Sequence, residues 1–306
     1  MPYQRAGHAS RWPAVGELLL AVVFWMVLMA VLMAVEKQIT GVTKTKDLPK
    51  DARTLVTFIN LAALGPAALL AALACGRSPR RLWSVTGRVR WRWFATCLLV
   101  ALAVRAISPI LVIIELATGH KTFVGLDTYA WQLALVLAVV PLQALAEELF
   151  FRGTLLQAVG SFARSPWPAI VISAAGFALA HGLRIELFVA MAIVGLALGW
   201  LAVRTGGLEA SVAHHVMLNV VGMAVQLAVA GGDQKGVNEH VTWAATVVSG
   251  VIVVVYTAII ARLAKRLPPV PDEIEQHAAE RGVGVEHADH GGNPEPLPPE
   301  QQQASG

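Results

Sequence analysis

Hydrophobic residues run along this chain in long blocks, and polar residues gather in the short stretches between them. An α-helix needs about 20 apolar residues to cross the ~30 Å hydrocarbon core of a bilayer. Such blocks lie at about 14–35, 54–75, 94–116, 129–159, 168–181, 185–203, 208–230 and 241–260. Lipid offers no hydrogen-bond partner to the backbone, so each block closes its own bonds as a helix. The pattern predicts an all-α protein, a polytopic transmembrane helix bundle of about eight spans. The first block is too long for a signal-peptide core and has no clear small-residue cleavage site, so it reads as a retained span. The fourth carries Pro141 and predicts a helix of roughly thirty residues, tilted or kinked there. From Leu267 the pattern stops. Seven Pro fall between Pro268 and Pro299 among Gly, Gln, Glu and His, a composition that cannot bury a core and predicts a disordered tail. The chain therefore divides into a cytoplasmic N-terminal arm (1–13), a transmembrane domain (14–266) and a cytoplasmic tail (267–306). No internal repeat argues for an inverted-repeat transporter.

Charge sharpens this picture. The 306 residues are 56% hydrophobic and 14% charged, against about 25% charged in a soluble domain. The net charge of +4 comes from Lys and Arg in the loops, so it reflects topology and excludes a nucleic-acid partner. Residues 76–92 hold six Arg, with Trp83 and Trp91 among them and Trp93 next, and no acid. Arg beside Trp marks a headgroup interface on the cytoplasmic side. Both termini then fall in the cytoplasm, and the composition suggests a bacterial plasma membrane. The loop at 36–53, with Lys and Arg mixed among acids, argues partly the other way. Glu17 is near enough to the end of its block to reach the interface. Cys75 and Cys97 form no CxxC or Cys/His pattern and read as small packing residues.

The polar residues inside the blocks carry the chemistry. Glu147, Glu148 and Arg152 lie in the fourth block, and each such group at membrane depth costs about 2.5–3.5 kcal/mol. Glu148 and Arg152 are four apart and share a helix face, which predicts an ion pair. Glu147 points about 100° away from Glu148, which makes it the working carboxylate. The alternative is a buried network that only holds helices together. Arg105 lies mid-span in the third block and should face the interior, with Glu148 a candidate partner. His181 ends the fifth block, and His215 and Asn219 share one face of the seventh. At 1.5 Å per residue, Glu147, His181, His215 and Asn219 lie about 18, 20, 10 and 16 Å from the cytoplasmic ends of their spans. Three helices thus bring a carboxylate, two imidazoles and an amide to similar depth, as a buried hydrolytic site requires.

Glu147-Glu148-x-x-x-Arg152, Phe177-x-x-x-His181 and His215-x-x-x-Asn219 resemble, in order and type, the motifs of the CPBP family. This family, also called Abi, holds the CAAX prenyl proteases and bacteriocin-processing enzymes, including the eukaryotic type II CAAX endopeptidase. The likeness covers about residues 129–230. It implies an intramembrane endopeptidase in a bundle of eight-helix type, acting in CAAX-box protein maturation or a related proteolysis. Carried over, Glu147 and His181 activate water, His215 and Asn219 hold the oxyanion, and Glu148, Arg152 and Phe177 support them.

Two mechanisms stand at this point. A desolvated carboxylate can take a proton from water, with an imidazole to orient it. Alternatively Glu147, His181 and His215 hold Zn²⁺ with an open water position, as in a metalloendopeptidase. No His-Glu-x-x-His is present, and the metal-free mechanism without a cofactor is the reading taken here. The expected partners are membrane lipid and a lipidated or hydrophobic peptide. A non-catalytic bacteriocin-immunity or scaffold protein is the competing class, and an ion-coupled transporter a third.

Overall fold

A computed structural model describes residues 3–6, 11–42, 47–48, 50–107, 109–110, 113, 117, 122–230 and 242–266. The predicted tail at 267–306 and parts of the N-terminal arm lie outside the described residues. A 3-10 turn (Tyr3–Arg5) precedes α1 (Arg11–Thr40), α2 (Lys50–Ala62), α3 (Leu64–Ala74), the short α4 (Arg80–Trp83) and α5 (Trp91–Arg105). Then α6 (Leu126–Glu148), a π-helical stretch (Leu149–Leu156) and α7 (Gln157–Gly160) follow end to end as one rod. The rest is α8 (Trp167–His181), α9 (Ile185–Thr205), α10 (Glu209–Leu227) and α11 (Trp243–Ala264). Two short strands, β1 (Thr122–Phe123) and β2 (Val229–Ala230), pair antiparallel and tie the start of the rod to the end of α10.

Among the described residues six stretches are long and apolar enough to cross a membrane: Trp12–Thr40, Ala52–Ala74, Leu126–Gly160, Ile185–Thr205, Glu209–Leu227 and Trp243–Ala264. The protein is a polytopic transmembrane helix bundle. Two of the eight predicted spans, the third and the fifth, form helices shorter than any of these six. Both α5 and α8 have 15 residues, about 22 Å of helix. For α5 the helix ends at Arg105, well before the predicted end at 116, and the remainder is described only in part.

Pro66 and Pro141, both inside predicted spans, behave differently. The second block is two helices, α2 and α3, meeting at Ala63. Pro66 has no N–H to give the Ala62 carbonyl, so the helical ladder is interrupted where α2 ends. At Pro141 the rod continues, and Pro141 lies inside α6. The departure from α geometry comes later, in the π stretch, where the Thr154 hydroxyl donates to the Leu149 carbonyl five residues back at 3.3 Å.

Polar clamps fix the end of the bundle that carries the basic loop. Glu17 lies at this end of the bundle and meets the basic loop. It is buried and pairs with Arg77 at 2.6 Å, and Arg77 also donates to Gln157 at the start of α7. Arg90 grips Glu209 at the start of α10 through Nε at 2.9 Å and Nη2 at 2.6 Å, and donates to the Thr205 carbonyl at 2.8 Å. Two of the six loop Arg are therefore structural, whereas Arg80, Arg81, Arg88 and Arg92 are exposed. Tyr3 donates to the Leu82 carbonyl at 2.7 Å, and burial pushes its phenol up from the usual range.

Away from that end the helices pack through small residues. α8 lies along α9, α10 packs on α5 and the rod, and α2 packs on α6. At Gly195 of α9 a Cβ would sit 2.9 Å from the Ala174 Cα of α8. Such contacts let helix backbones approach closely where lipid gives no hydrophobic drive for association. Ala174 is one turn before Phe177, so this close approach lies beside the motif of α8. Gly195→Leu should force the two helices apart and cost about 1–3 kcal/mol by overpacking. A thermal melt of the purified variant in micelles, with an unchanged midpoint as the contrary result, checks this.

Candidate active site

The site is built where α6 passes into the π stretch. Glu147 and Glu148 are 3% and 0% exposed, and as neighbours on a helix they leave the rod in different directions. Arg152 is fully buried, and its Nη1 donates to Glu148 Oε1 at 2.8 Å. The predicted ion pair is present. The same Glu148 oxygen also takes His215 Nδ1 at 2.8 Å. Glu148 therefore holds an imidazole as well as a guanidinium.

Glu147 is held by neutral contacts. Its Oε1 accepts from Gln143 Nε2 at 2.6 Å, one turn earlier on α6. Its Oε2 lies 3.6 Å from His215 Nε2 and has no hydrogen-bond partner among the described residues. Asn219, one turn beyond His215 on α10, donates from Nδ2 to Gln143 Oε1 at 3.1 Å. His215 thus stands between two carboxylates, and Gln143 bridges Glu147 to Asn219. His214 is buried on another side of α10, its ring 4.7 Å from that of Tyr256. The 100° step between neighbours explains why one of the two His reaches the carboxylates and the other does not.

His181 enters from the C-terminal end of α8. Its Nδ1 is 2.8 Å from the Phe177 carbonyl, one turn back. A proton on Nδ1 serves that carbonyl and leaves Nε2 as an acceptor. The ring lies within electrostatic reach of Glu147 and His215. Phe177 joins the parts. Its ring centroid is 4.5 Å from that of His181, 5.5 Å from that of His215 and 5.3 Å from that of Phe151. The Arg152 guanidinium carbon lies 4.4 Å from the same centroid, a cation–π contact in a desolvated setting.

All seven residues singled out in the sequence, Glu147, Glu148, Arg152, Phe177, His181, His215 and Asn219, meet in this cluster. The proposed pairing of Arg105 with Glu148 is not found. Arg105 is buried, but its Nε and Nη2 have no partner among the described residues, and Glu148 Oε1 is taken by Arg152 and His215. Gln143 escaped the sequence reading. Its signal was present, as a polar residue four before Glu147 in an apolar block. Among the described residues no three His, Cys, Asp or Glu side chains are grouped to hold a metal ion. His215 Nδ1 is turned to Glu148 and His181 Nδ1 to a backbone carbonyl, which leaves Nε2 of each ring toward the site, for a water or for a metal ion.

Removing Arg152 would leave Glu148 buried and without its cation. Arg152→Ala should cost about 3–5 kcal/mol, and the double change Glu148→Gln with Arg152→Met should cost less. Equal melting temperatures for the wild type and Arg152→Ala in the same detergent would contradict the pair's structural role.

Residues 129–221 match the family model of the type II CAAX prenyl endopeptidase Rce1-like proteins. The uncharacterized protein YyaK of Bacillus subtilis (strain 168) is 35% identical over 99 residues, which cover 30% of this chain and 33% of that protein. The chain thus spans about a third of the length of the curated relative it matches. No solved structure matches. The matched segment holds every residue of the cluster, and the match is in keeping with the likeness of its motifs to those of the CPBP family.

Proposed function

We propose that the protein is an intramembrane endopeptidase of CAAX-protease type that hydrolyses a peptide bond in a lipidated or hydrophobic membrane-associated substrate. One observation carries the reading. Glu147 is buried with one oxygen fixed by Gln143, while its other oxygen has no hydrogen-bond partner among the described residues and lies 3.6 Å from His215 Nε2, whose ring borders Phe177 as that of His181 does. An apolar, three-helix setting suits a substrate delivered from the bilayer. The exposed Arg of the basic loop support a cytoplasmic placement of both termini, in a bacterial plasma membrane.

Each residue then has a task. Glu147 Oε2 and His181 Nε2 are two acceptors for the two hydrogens of a water, which aims its lone pair at the scissile carbonyl carbon. As the water oxygen bonds to that carbon, one proton passes to Glu147 and the carbonyl electrons move to oxygen. Asn219 gives one amide hydrogen to Gln143 and has a second for the developing oxyanion. His215 can donate from Nε2 when that nitrogen carries a proton, with Glu148 holding its Nδ1. Donors aimed at such an oxygen contribute about 2.7–4 kcal/mol each. The tetrahedral intermediate collapses, the C–N bond breaks, and the proton on Glu147 goes to the leaving nitrogen. Phe177 and Arg152 keep the two imidazoles in place.

Cleavage of a quenched prenyl-peptide library by the purified full chain tests this reading. Glu147→Gln keeps the shape but removes the base, and should lower the rate by about 10²–10⁴-fold. Glu147→Asp should keep a trace of activity, because its carboxylate sits one methylene short. Exhaustive chelation should change turnover little. About one zinc per chain, with activity lost on chelation and restored by zinc, would overturn the glutamate mechanism. Unchanged cleavage by Glu147→Gln would remove Glu147 from the chemistry. No cleavage by the wild type would favour a non-catalytic role.

A further inference from the structure

Gln143 has no place in the three motifs, yet it is the contact that joins the base to the oxyanion donor. It is 2% exposed in α6, where Val140, Ala144 and Ala146 along the same helix are also buried. A side-chain amide in such surroundings costs free energy unless its donors and acceptor are used. Both ends are used, and on different helices. Nε2 donates to Glu147 Oε1 at 2.6 Å, and Oε1 accepts from Asn219 Nδ2 at 3.1 Å.

The chemistry of these contacts leaves little freedom. A carboxylate only accepts, so the Gln143 nitrogen must face Glu147 and its oxygen must face Asn219. That in turn requires the Asn219 amide to present Nδ2 toward Gln143. One Asn219 hydrogen is then committed and the other is directed elsewhere. Without Gln143, nothing among these contacts distinguishes the two ends of the Asn219 amide, and a half-turn would put its oxygen where a donor is needed. Glu147 would also lose the contact that fixes the orientation of its carboxylate toward His215.

We infer that Gln143 is a positioning residue, which sets the rotamer of Glu147 and the amide orientation of Asn219 for catalysis. This rests on the endopeptidase reading. A merely structural bond between α6 and α10 is the competing account. That account predicts lost stability with the turnover of folded protein unchanged.

The experiment is a kinetic double-mutant cycle on the full chain in micelles, using a cleaved member of the quenched prenyl-peptide library. The proteins are the wild type, Gln143→Met, Asn219→Ala and the double variant, with rates taken per folded protein. A misplacement of about 1 Å costs on the order of 10²-fold in rate, so Gln143→Met should lower kcat by about 10–100-fold with KM changed less than about twofold. On the Asn219→Ala background the same change should cost much less, because part of what it positions is gone. Gln143→Glu keeps the shape and the acceptor for Asn219 but sets a second carboxylate oxygen against Glu147. It should also lower kcat, and it decides the matter on the same criteria if Gln143→Met does not fold. Wild-type kcat in the folded Gln143 variants, or strictly multiplicative losses in the cycle, would overturn the positioning role while leaving the endopeptidase reading intact. No cleavage by the wild type would refute that reading and the positioning role with it.

Discussion

A carboxylate buried at membrane depth has to find its cation and its hydrogen bonds inside the protein, and the way Glu148 does so sets the geometry around it. Its Oε1 receives Arg152 Nη1 and His215 Nδ1, each at 2.8 Å. The first contact is local, one turn along the rod. The second reaches across to α10 and fixes the plane of the His215 ring. With Nδ1 committed, Nε2 points toward Glu147. Arg152 in turn lies on the face of Phe177, whose ring also borders His181 and His215. A substitution at Glu148 would therefore unseat a guanidinium, an imidazole and, through Phe177, part of α8.

Placing two glutamates side by side separates two jobs that one carboxylate could not do together. The 100° step between them sends Glu148 toward a guanidinium and an imidazole and Glu147 toward an amide. An oxygen shared by a guanidinium and an imidazole is spent on holding them. Glu147 is steadied by Gln143 without a guanidinium of its own; the second oxygen of each carboxylate has no hydrogen-bond partner among the described residues, and that of Glu147 lies 3.6 Å from His215 Nε2. The ion pair supplies rigidity to the rod, and the neighbouring residue inherits that rigidity.

What could be read from the sequence was what depends on short spacing. The apolar blocks have the length of spans, and the four-residue steps put Arg152 under Glu148 and Asn219 beyond His215. Gln143 obeys the same spacing relative to Glu147, but a neutral amide carries no charge to draw notice in an apolar block. The contacts that could not be read join distant segments. Arg77 and Glu17 are 60 residues apart, Glu148 and His215 are 67 apart, and Arg90 and Glu209 are 119 apart. No local pattern tells Arg77 and Arg90, which are paired, from Arg80 and Arg88, which are exposed. Pro66 and Pro141 look alike as helix breakers, and only the tertiary setting shows that one separates two helices and the other does not. The π stretch has no signature in composition at all.

The clamps at the basic end and the amide bridge deeper in the bundle act as two fixed points on the same pair of helices. Arg77 holds Gln157 at the start of α7, and Arg90 holds Glu209 at the start of α10. From these anchors Glu147 lies about 15 Å back along the rod, and His215 about 9 Å into α10. A helix held at one point can still turn about its axis or slip. A slip of one residue moves a side chain about 1.5 Å along the axis and turns it by about 100°. Either motion would take His215 away from Glu148. The Gln143–Asn219 bond lies on the far side of the carboxylates from the clamps, so the rod and α10 are pinned on both sides of the site. Packing of small residues between α8 and α9 adds no such register, because apolar contacts tolerate sliding better than directed bonds do. For His181 the register comes instead from the rings of Phe177, which α8 presses against Arg152 and His215 of the two pinned helices.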